Sequence, residues 1–583
     1  MRLSGTQARS ISSSRGLGNQ LWDLAGNRPS LDLRFADNKS LVDATTGTTL
    51  VDHTRAGRAT YVGSDGLIKT ATTNLLLQSE DFLTTWSKSA GVSVTLDSSQ
   101  GEPFSGAVVS RIDFTAGSQV LNQTRTYISG THTASIWIKG VASETIQFAG
   151  ETGTSVEVVT LTGEWQRLSQ TFTAVASTQN FSINTFNSVT ARTIYITAAQ
   201  LEQSDTVGEY VKTTSTINSA PRFDHDPTTG ESLGLLVEES RTNLLLMSEE
   251  FDDASYWARM GAGLTVNAIN SPTGVQSADF LVPGLAVSEQ RLRRDVSGIS
   301  SNTAYTLSVF AKAGGYNYIA IDHGDYFVAD YYTYFDLQNG VVATNAAGNT
   351  PQITDLGNGW YRCSVTRTTT ATQTTISARY AAVQSDNVLS FAGDGTSGIY
   401  LWGAQLEAGS FPTSYIPTTS STVTRAADVA SISGSNFSSW YRQDEGTFFA
   451  DIIGFPITSG QFPRIFEASD GTSNNIIRSQ QYGANTVRNN ISAGGSFTMA
   501  QDGGMIAARI SGKTAFGVAE NNCAITTNGG TPSVDNTVTL PSNLNQLGIL
   551  GTTGRTSIAN STISRFTYWP QRLPNETLQG ITQ

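Results

Sequence analysis

The sequence predicts an all-β protein of several antiparallel β-sandwiches: two jelly rolls, a further sandwich, and a small β domain near the N-terminus. Three observations carry that prediction. The 583 residues exceed what one hydrophobic core usually spans, so three or more domains are expected. Short alternating segments rich in β-branched residues are divided by Gly, Asn, Asp and Ser turns, with no helical period. The chain also repeats itself. Thr73 to Phe82 (TNLLLQSEDF) returns as Thr242 to Phe251 (TNLLLMSEEF), and three further landmarks follow in the same order. Ser135 to Lys139 matches Ser308 to Lys312, Trp165-Gln166-Arg167 matches Trp360-Tyr361-Arg362, and Ala199-Gln200-Leu201-Glu202 matches Ala404-Gln405-Leu406-Glu407. The offset grows from 169 to 173, 195 and 205, so one module is copied and the later copy is lengthened between fixed landmarks. Two copies of a large module favour multivalent binding over one catalytic centre.

Residues 1–30 are rich in Ser, Gly and Arg, with one apolar stretch, Leu17 to Leu24, around Trp22. Alone this is too little to fold, and it reads either as a peptide that docks on a larger assembly or as a flexible tail. Residues 31–72 read as a small β domain completed by 217–241. Asp65-Gly66 marks a hairpin within it, and Asp226-Pro227-Thr228-Thr229-Gly230 an ordinary turn. The first module, 73–216, is inserted into that domain, an arrangement tolerated when the guest's termini lie close together. The second module spans 242–420. A third sandwich, 424–583, ends in the strand Arg565 to Trp569 and a short helix from Asn575 to Thr582 that buries Leu578 and Ile581.

Charge excludes some functions. The net charge is −12, from 36 Lys and Arg against 48 Asp and Glu, with no basic block, so nucleic acid is not an expected partner. Charged residues make up only 14%, against roughly 25% in ordinary globular proteins. Cys363 and Cys523 offer no disulfide framework or zinc spacing and are expected as buried thiols. No run of about 20 apolar residues predicts a membrane span, and the start lacks an apolar signal core. An adhesive, hydroxyl-rich surface on a chain not exported by a signal peptide points to a particle assembled in a cytoplasm and released by lysis.

Between the Lys and Trp-x-Arg landmarks the first copy has 26 steps and the second 48. The longer stretch holds Tyr316, Tyr318, Tyr326, Tyr331, Tyr332 and Tyr334. Sugars are commonly held by aromatic faces flanked by amides and carboxylates. Period-2 geometry assigns Tyr331, Thr333, Phe335 and Leu337 to the core, and Tyr332, Tyr334 and Asp336 to the opposite face, before a hairpin at Asn339-Gly340. Tyr316, Tyr318, Tyr326, Tyr332, Tyr334 and Asp336 are therefore the candidate glycan-binding residues, the alternative being that the tyrosines pack the sandwich or a subunit contact. Trp86, Trp165, Trp257, Trp360 and Trp402 are expected in cores. Asp224-His225-Asp226 invites a metal reading but sits in the turn sequence, and no metal site is expected. No catalytic motif is present, and pairs such as Glu151 with Glu157, or Asp322 with Asp325, are not singled out for hydrolysis. No enzyme activity is expected.

At these landmarks the two copies resemble carbohydrate-binding modules of families 4 and 9, jelly rolls of galactose-binding-like fold. Asn74 to Trp86 and Asn243 to Trp257, the Trp-x-Arg and the closing Ala-Gln-Leu-Glu carry the likeness. Those modules often hold a structural calcium with an acidic pair. Here the matching places are Ala198-Ala199 and Gly403-Ala404, which lack that pair, so no cofactor is expected and a structural calcium stays the alternative. Residues 424–583 resemble a concanavalin A-like, laminin-G-type lectin domain through Glu445-Gly446-Thr447 and Tyr568-Trp569-Pro570. The joining text, from Thr54-Arg55-Ala56 to the run Gly234 to Asn243, is similar to tail-fibre and head-spike proteins of tailed bacteriophages. That resemblance implies a virion appendage, commonly a homotrimer, attached to other virion proteins through its N-terminal segment and touching host surface polysaccharide. A purely architectural fibre and a capsule-degrading hydrolase are the alternatives.

Overall fold

The computed structural model describes residues 18–152, 155–186, 190–324, 331–455, 462–483, 485–554 and 556–583. They are almost wholly β, in antiparallel sheets. The chain divides into two compact units, one of Thr54–Arg58 with Thr70–Ala220, the other of Met1–His53, Ala59–Lys69 and Pro221–Gln583.

The smaller unit is the first copy. One five-stranded sheet runs in the order Gln166–Ala174, Gly130–Gly140, Arg192–Glu202, Ser110–Phe114, Val92–Leu96. The other runs Val156–Thr160, Thr145–Ala149, Ser177–Asn184, Val120–Tyr127, Ser87–Lys88. Taking the eight strands from Ser110 onward in chain order, the sheets read 6-3-8-1 and 5-4-7-2, which is the double Greek key of a jelly roll. Phe82, Trp86, Ile136, Phe148, Phe181 and Ile196 fill the space between them.

The second copy has the same order with one more strand in each sheet. The additions are Val341–Asn345, beside Thr333–Asp336, and Thr350–Asp355, beside Trp360–Thr368. The longer stretch of the second copy thus extends both edges. Tyr318 and Tyr334 lie on strands that the first copy also has, as Thr145–Ala149 and Val156–Thr160.

The same side chains frame both copies. Asn74 Nδ2 donates to the carbonyls of Ala199 and Val211, and Asn243 Nδ2 to those of Ala404 and Ile416, all at 2.9–3.1 Å. Gln200 and Gln405 accept from the Val211 and Ile416 amides. Glu202 accepts from the Gly208 amide and Glu407 from the Thr413 amide. Arg167 reaches Ser135 Oγ and the Gly208 carbonyl, while Arg362 reaches Ser308 Oγ and the Thr413 carbonyl. The Asn, Gln and Glu side chains of this frame are buried, and each finds a partner, as burial requires. The Ala-Gln-Leu-Glu landmark is therefore a clamp on the segment that follows it. Just before it each closing strand bulges, with Ala198 at φ 53° where the second copy has Gly403 at 65°. Neither Ala198-Ala199 nor Gly403-Ala404 brings a side-chain oxygen.

The C-terminal sandwich packs an eight-stranded sheet against a seven-stranded one around Phe448, Phe466, Ile491, Phe516, Leu547 and Phe566. It also absorbs segments that the sequence assigns to a separate small domain. Leu31–Leu33 and Ser232–Val237 both pair with the last long strand, Ser561–Trp569. A three-residue and a six-residue strand cannot close a core alone, and here they extend an existing sheet. The start of the described chain is likewise internal. Gln20–Ala25 is a helix whose Leu21 and Ala25 pack with Phe449, Trp569, Leu578 and Ile581, so this part of the N-terminal segment docks on its own chain. Asp32, fully buried, takes both Nε and Nη2 of Arg565 at 2.8 and 2.7 Å and the Trp22 indole N–H at 2.9 Å. Leu17 and residues before it lie outside the described part. Cys363 and Cys523 are free and buried. No helix of the described residues is long and apolar enough to cross a membrane.

A buried ion network joins four distant segments of the larger unit. Arg222, with no solvent exposure, donates to Glu238 Oε2 at 2.7 Å and to Asp428 Oδ2 at 2.5 Å. Arg425 lies 2.9 Å from Glu238 Oε2, and the Ser414 amide donates to Glu238 Oε1 at 2.7 Å. Burial alone would raise the Glu238 carboxyl, but Arg425 and Arg222 hold it down to about 2. Replacing Glu238 by Ala removes the carboxylate that Arg222 and Arg425 share, leaving Asp428 to balance two buried guanidinium groups, and is expected to cost about 3–5 kcal/mol, read as a lower urea midpoint. In the native chain this carboxylate's contribution is complete above its ordinary value of 4.5 and is lost as pH falls toward about 2. Acid unfolding of the Glu238→Ala protein should lack that part of the pH dependence.

Candidate functional site

The tyrosine cluster does not form an open platform. Tyr316, Tyr332 and Tyr334 are only 9%, 6% and 5% exposed. Arg291 Nη1 donates to the Tyr332 hydroxyl at 3.0 Å, and the Tyr334 ring lies 6.4 Å from that of Tyr332. Tyr316 packs edge-on against Phe391 and takes the Asp394 amide on its hydroxyl. Tyr318 is half-buried, and its hydroxyl donates to Asp336 Oδ2 at 3.3 Å. Asp336, also buried, accepts from the Gln338 and Asn339 amides, so its carboxylate caps the Asn339-Gly340 hairpin. Tyr326 lies outside the described residues. Alternation predicts one core face and one open face on Thr333–Asp336, yet all four residues are buried. The outward face of this sheet carries its own polar layer. Arg379 donates to Asp322 Oδ2 at 2.9 Å, and Asp295 takes Arg293 Nε at 3.0 Å and Ser377 Oγ at 2.7 Å.

Other readings resolve case by case. Trp86, Trp257, Trp360 and Trp402 are buried, whereas Trp165 is only half-buried, its indole N–H reaching the Gln100 carbonyl at 3.4 Å. Asp226 Oδ1 takes the Thr228 and Thr229 amides, the turn that its sequence predicts. His225 is buried with Nδ1 on the Val62 carbonyl, and burial lifts the neighbouring Asp224 carboxyl to about 6. Among the described residues no group of three or more His, Cys, Asp or Glu is placed to hold a metal. Glu151 is buried and Glu157 exposed. Asp322 is fully buried against Arg379, and Asp325 lies outside the described residues.

What the two copies share beyond their frame is a cavity. In the first it holds about 380 Å³, in the second about 760 Å³. Both fall in the range, roughly 300–1,000 Å³, of small-ligand sites. Each is lined by residues before and within the first landmark: Thr70 to Thr73 and Leu75, against Glu239 to Thr242 and Leu244. Each is closed by residues that follow the Ala-Gln-Leu-Glu clamp: Gln203 and Ser204, against Ala408 to Ser410. The start of the long central strand supplies His132 in one and Tyr305 in the other. The frame fixes these walls. Thr133 Oγ holds the Ser204 carbonyl and Thr306 Oγ the Gly409 carbonyl, both at 2.9 Å.

The linings differ in chemistry. His132 is fully buried, stacked on Phe172, with Nδ1 at 3.0 Å from the Gly130 carbonyl and Nε2 without a hydrogen-bond partner. Burial pushes its pKa down, which keeps the ring neutral at pH 7. Arg58 donates to the Gln203 side chain on the same wall. In the second copy the Tyr305 hydroxyl takes the Ser300 amide at 2.9 Å. Arg241 pairs with Glu239 at 2.5 Å and covers the Phe411 ring. Sequence reasoning passed over these residues. The signal available was position: Arg241 and Gln203 adjoin the first and last landmarks, and His132 and Tyr305 stand at matching places just before the second.

No family model matches the sequence, and no curated protein matches it. Among solved structures, the chain is similar to the CBM40 of the Ruminococcus gnavus IT-sialidase bound to alpha2,3 sialyllactose. That match has 15% identity over 24% of this chain and 83% of the other, at a TM-score of 0.21. The CBM22-1-CBM22-2 tandem domain of Paenibacillus barcinonensis Xyn10C matches at 13% identity over 58% of this chain and 98% of the other, TM-score 0.22. Sheep galectin-11 in complex with glycerol matches at 15% identity over 24% and 95%, TM-score 0.17.

Because Tyr332 and Tyr334 are packed, alanine at both is expected to lower stability by about 3–5 kcal/mol per ring, not to remove binding from an intact fold. Tyr332→Phe, which removes one of two acceptors of Arg291 Nη1 (the other is Glu289) but keeps the ring, is expected to cost about 1 kcal/mol. Thermal denaturation of the three proteins checks both.

Proposed function

We propose that this chain is an adhesion protein that grips saccharide weakly and repeatedly through the end cavities of its two jelly rolls. The observation that carries the reading is the recurrence of one cavity, in one frame, with two different linings. Hydroxyls and amides line the first cavity, and such groups match the hydroxyls of a sugar at little desolvation cost. Two sites on one chain raise retention on a repeating polymer by effective concentration, without either being tight.

The sequence resemblance to tail-fibre and head-spike proteins supports placing this adhesion on the virion of a tailed phage, as a homotrimer facing host surface polysaccharide. A trimer would present six such cavities, which suits a reversible search over a polymer surface.

Affinity electrophoresis through gels containing host polysaccharide tests the reading. Ser204→Trp fills the first cavity and Ser410→Trp the second. Each alone is expected to weaken retardation by about tenfold or more, because loss of one site also removes the linkage gain of the other, and the two together are expected to abolish it. Unchanged retardation of the double variant sinks the assignment. Absence of retardation in the native protein leaves an architectural fibre, and shortened polysaccharide a hydrolase.

A further inference from the structure

The C-terminal sandwich carries a third cavity, of about 340 Å³, against its seven-stranded sheet. Arg464, Glu467 and Arg478 meet on its wall. Arg464 Nε lies 3.1 Å and Arg478 Nη1 3.8 Å from the same oxygen, Glu467 Oε2. The three side chains are only 11%, 15% and 14% exposed. Two guanidinium groups thus share one carboxylate in an enclosed place, leaving an unbalanced positive charge among the described residues. The other acceptors of Arg464 are the Phe462 carbonyl and the Gln480 side chain, both neutral. Arg478 Nε is buried with no hydrogen-bond partner.

An excess cation is costly to enclose, and on a chain of net charge −12 it does not follow from overall composition. Burial already pushes the Arg478 guanidinium down to about 10, with Arg464 adding to the effect. A bound anion would remove the imbalance, and a guanidinium fork matches a carboxylate in geometry. The rest of the cavity wall is neutral and hydroxyl-bearing, including Ser469, Thr472 and Thr556. Arg478 also lies over the ring of Phe497, which is 67% exposed and outside the cavity's lining, with the ring centroid 5.7 Å from its guanidinium carbon. An exposed aromatic face next to a charged fork and a row of hydroxyls is what a carboxylate-bearing pyranose needs: ring on ring, carboxylate on guanidinium, hydroxyls on hydroxyls.

We infer that this cavity binds an acidic sugar residue, with its carboxylate on Arg478 and its ring against Phe497. The inference rests on the reading of the chain as glycan-binding, and it names the chemical class that the C-terminal sandwich selects.

Calorimetric titration of the full chain at low salt tests it with four probes: methyl glucuronide, the methyl glycoside of N-acetylneuraminic acid, methyl glucoside and inorganic phosphate. One or both acidic glycosides are expected to bind, and which of them binds identifies the acid. Methyl glucoside is expected to bind at least tenfold more weakly. Arg478→Gln should weaken the acidic glycoside at least tenfold, and Arg478→Lys, which keeps the charge but loses the fork, by an intermediate factor. Phe497→Ala changes an exposed ring, so it tests the site without burdening the fold, and a threefold or greater loss is expected. Equal binding of methyl glucoside, equal binding of phosphate, or native affinity in both Arg478→Gln and Phe497→Ala overturns the inference. The two readings fail separately. If neither acidic glycoside binds while gel retardation still depends on Ser204 and Ser410, only the acidic site falls. If acidic glycosides bind at Arg478 while the Ser204→Trp, Ser410→Trp protein is retarded normally, the jelly-roll reading falls and this site stands.

Discussion

The enclosed contact of Arg222 with Glu238 and Asp428 is the constraint around which the larger unit is organised. Glu238 also takes Arg425 and the backbone of Ser414, and the Glu238 amide donates to Asp428. One carboxylate thereby fixes the entry to the second jelly roll, the loop that closes it, and the link to the C-terminal sandwich. Such a network has narrow tolerance, because removing any member leaves another charge enclosed without compensation. The run Gly234 to Asn243 accordingly does structural work at three places. Glu238 anchors the network, Arg241 and Glu239 pair at the rim of a cavity, and Asn243 clamps the closing strand.

Duplication explains how one architecture serves more than one ligand environment. The frame of each jelly roll is built from side chains that bond to backbone, Asn74 or Asn243, Gln200 or Gln405, Glu202 or Glu407, so it is indifferent to what lines the surface. Residues outside the frame are then free to differ. His132 against Tyr305, and Gln203 against Ala408, change the cavity's chemistry without touching the clamp. The second copy's additional strands broaden both sheets at their edges, where growth disturbs no existing ladder.

The surface chemistry is consistent with weak, repeated contact. Under the proposed function, few charges, many hydroxyls and small half-open cavities would give each site modest affinity, with multiplicity supplying the rest. The C-terminal cavity stands apart because its charge is unbalanced, which trades stability of the free protein for selectivity toward an anion.

Much was legible in the sequence. The all-β class followed from alternation and turn residues, and the duplication followed from landmarks whose spacing a hydrogen-bonded frame enforces. The hairpins at Asp65-Gly66 and Asn339-Gly340, the Asp226 turn and the terminal helix were readable because each is decided within a few residues. Period-2 reasoning failed at Tyr332 and Tyr334 because alternation separates two faces without saying what covers the outer one. Leu31–Leu33 and Ser232–Val237 were assigned to a domain of their own because nothing local announces a partner strand more than 300 residues later. The cavities and the pairing of Arg464 and Arg478 on Glu467 were likewise invisible, since both depend on which segments meet after folding. Sequence by itself determined strand class, module number and internal frame, because those are set by local spacing. Tertiary structure alone decided which polar groups are enclosed and which spaces stay open, because enclosure is a property of distant segments brought together.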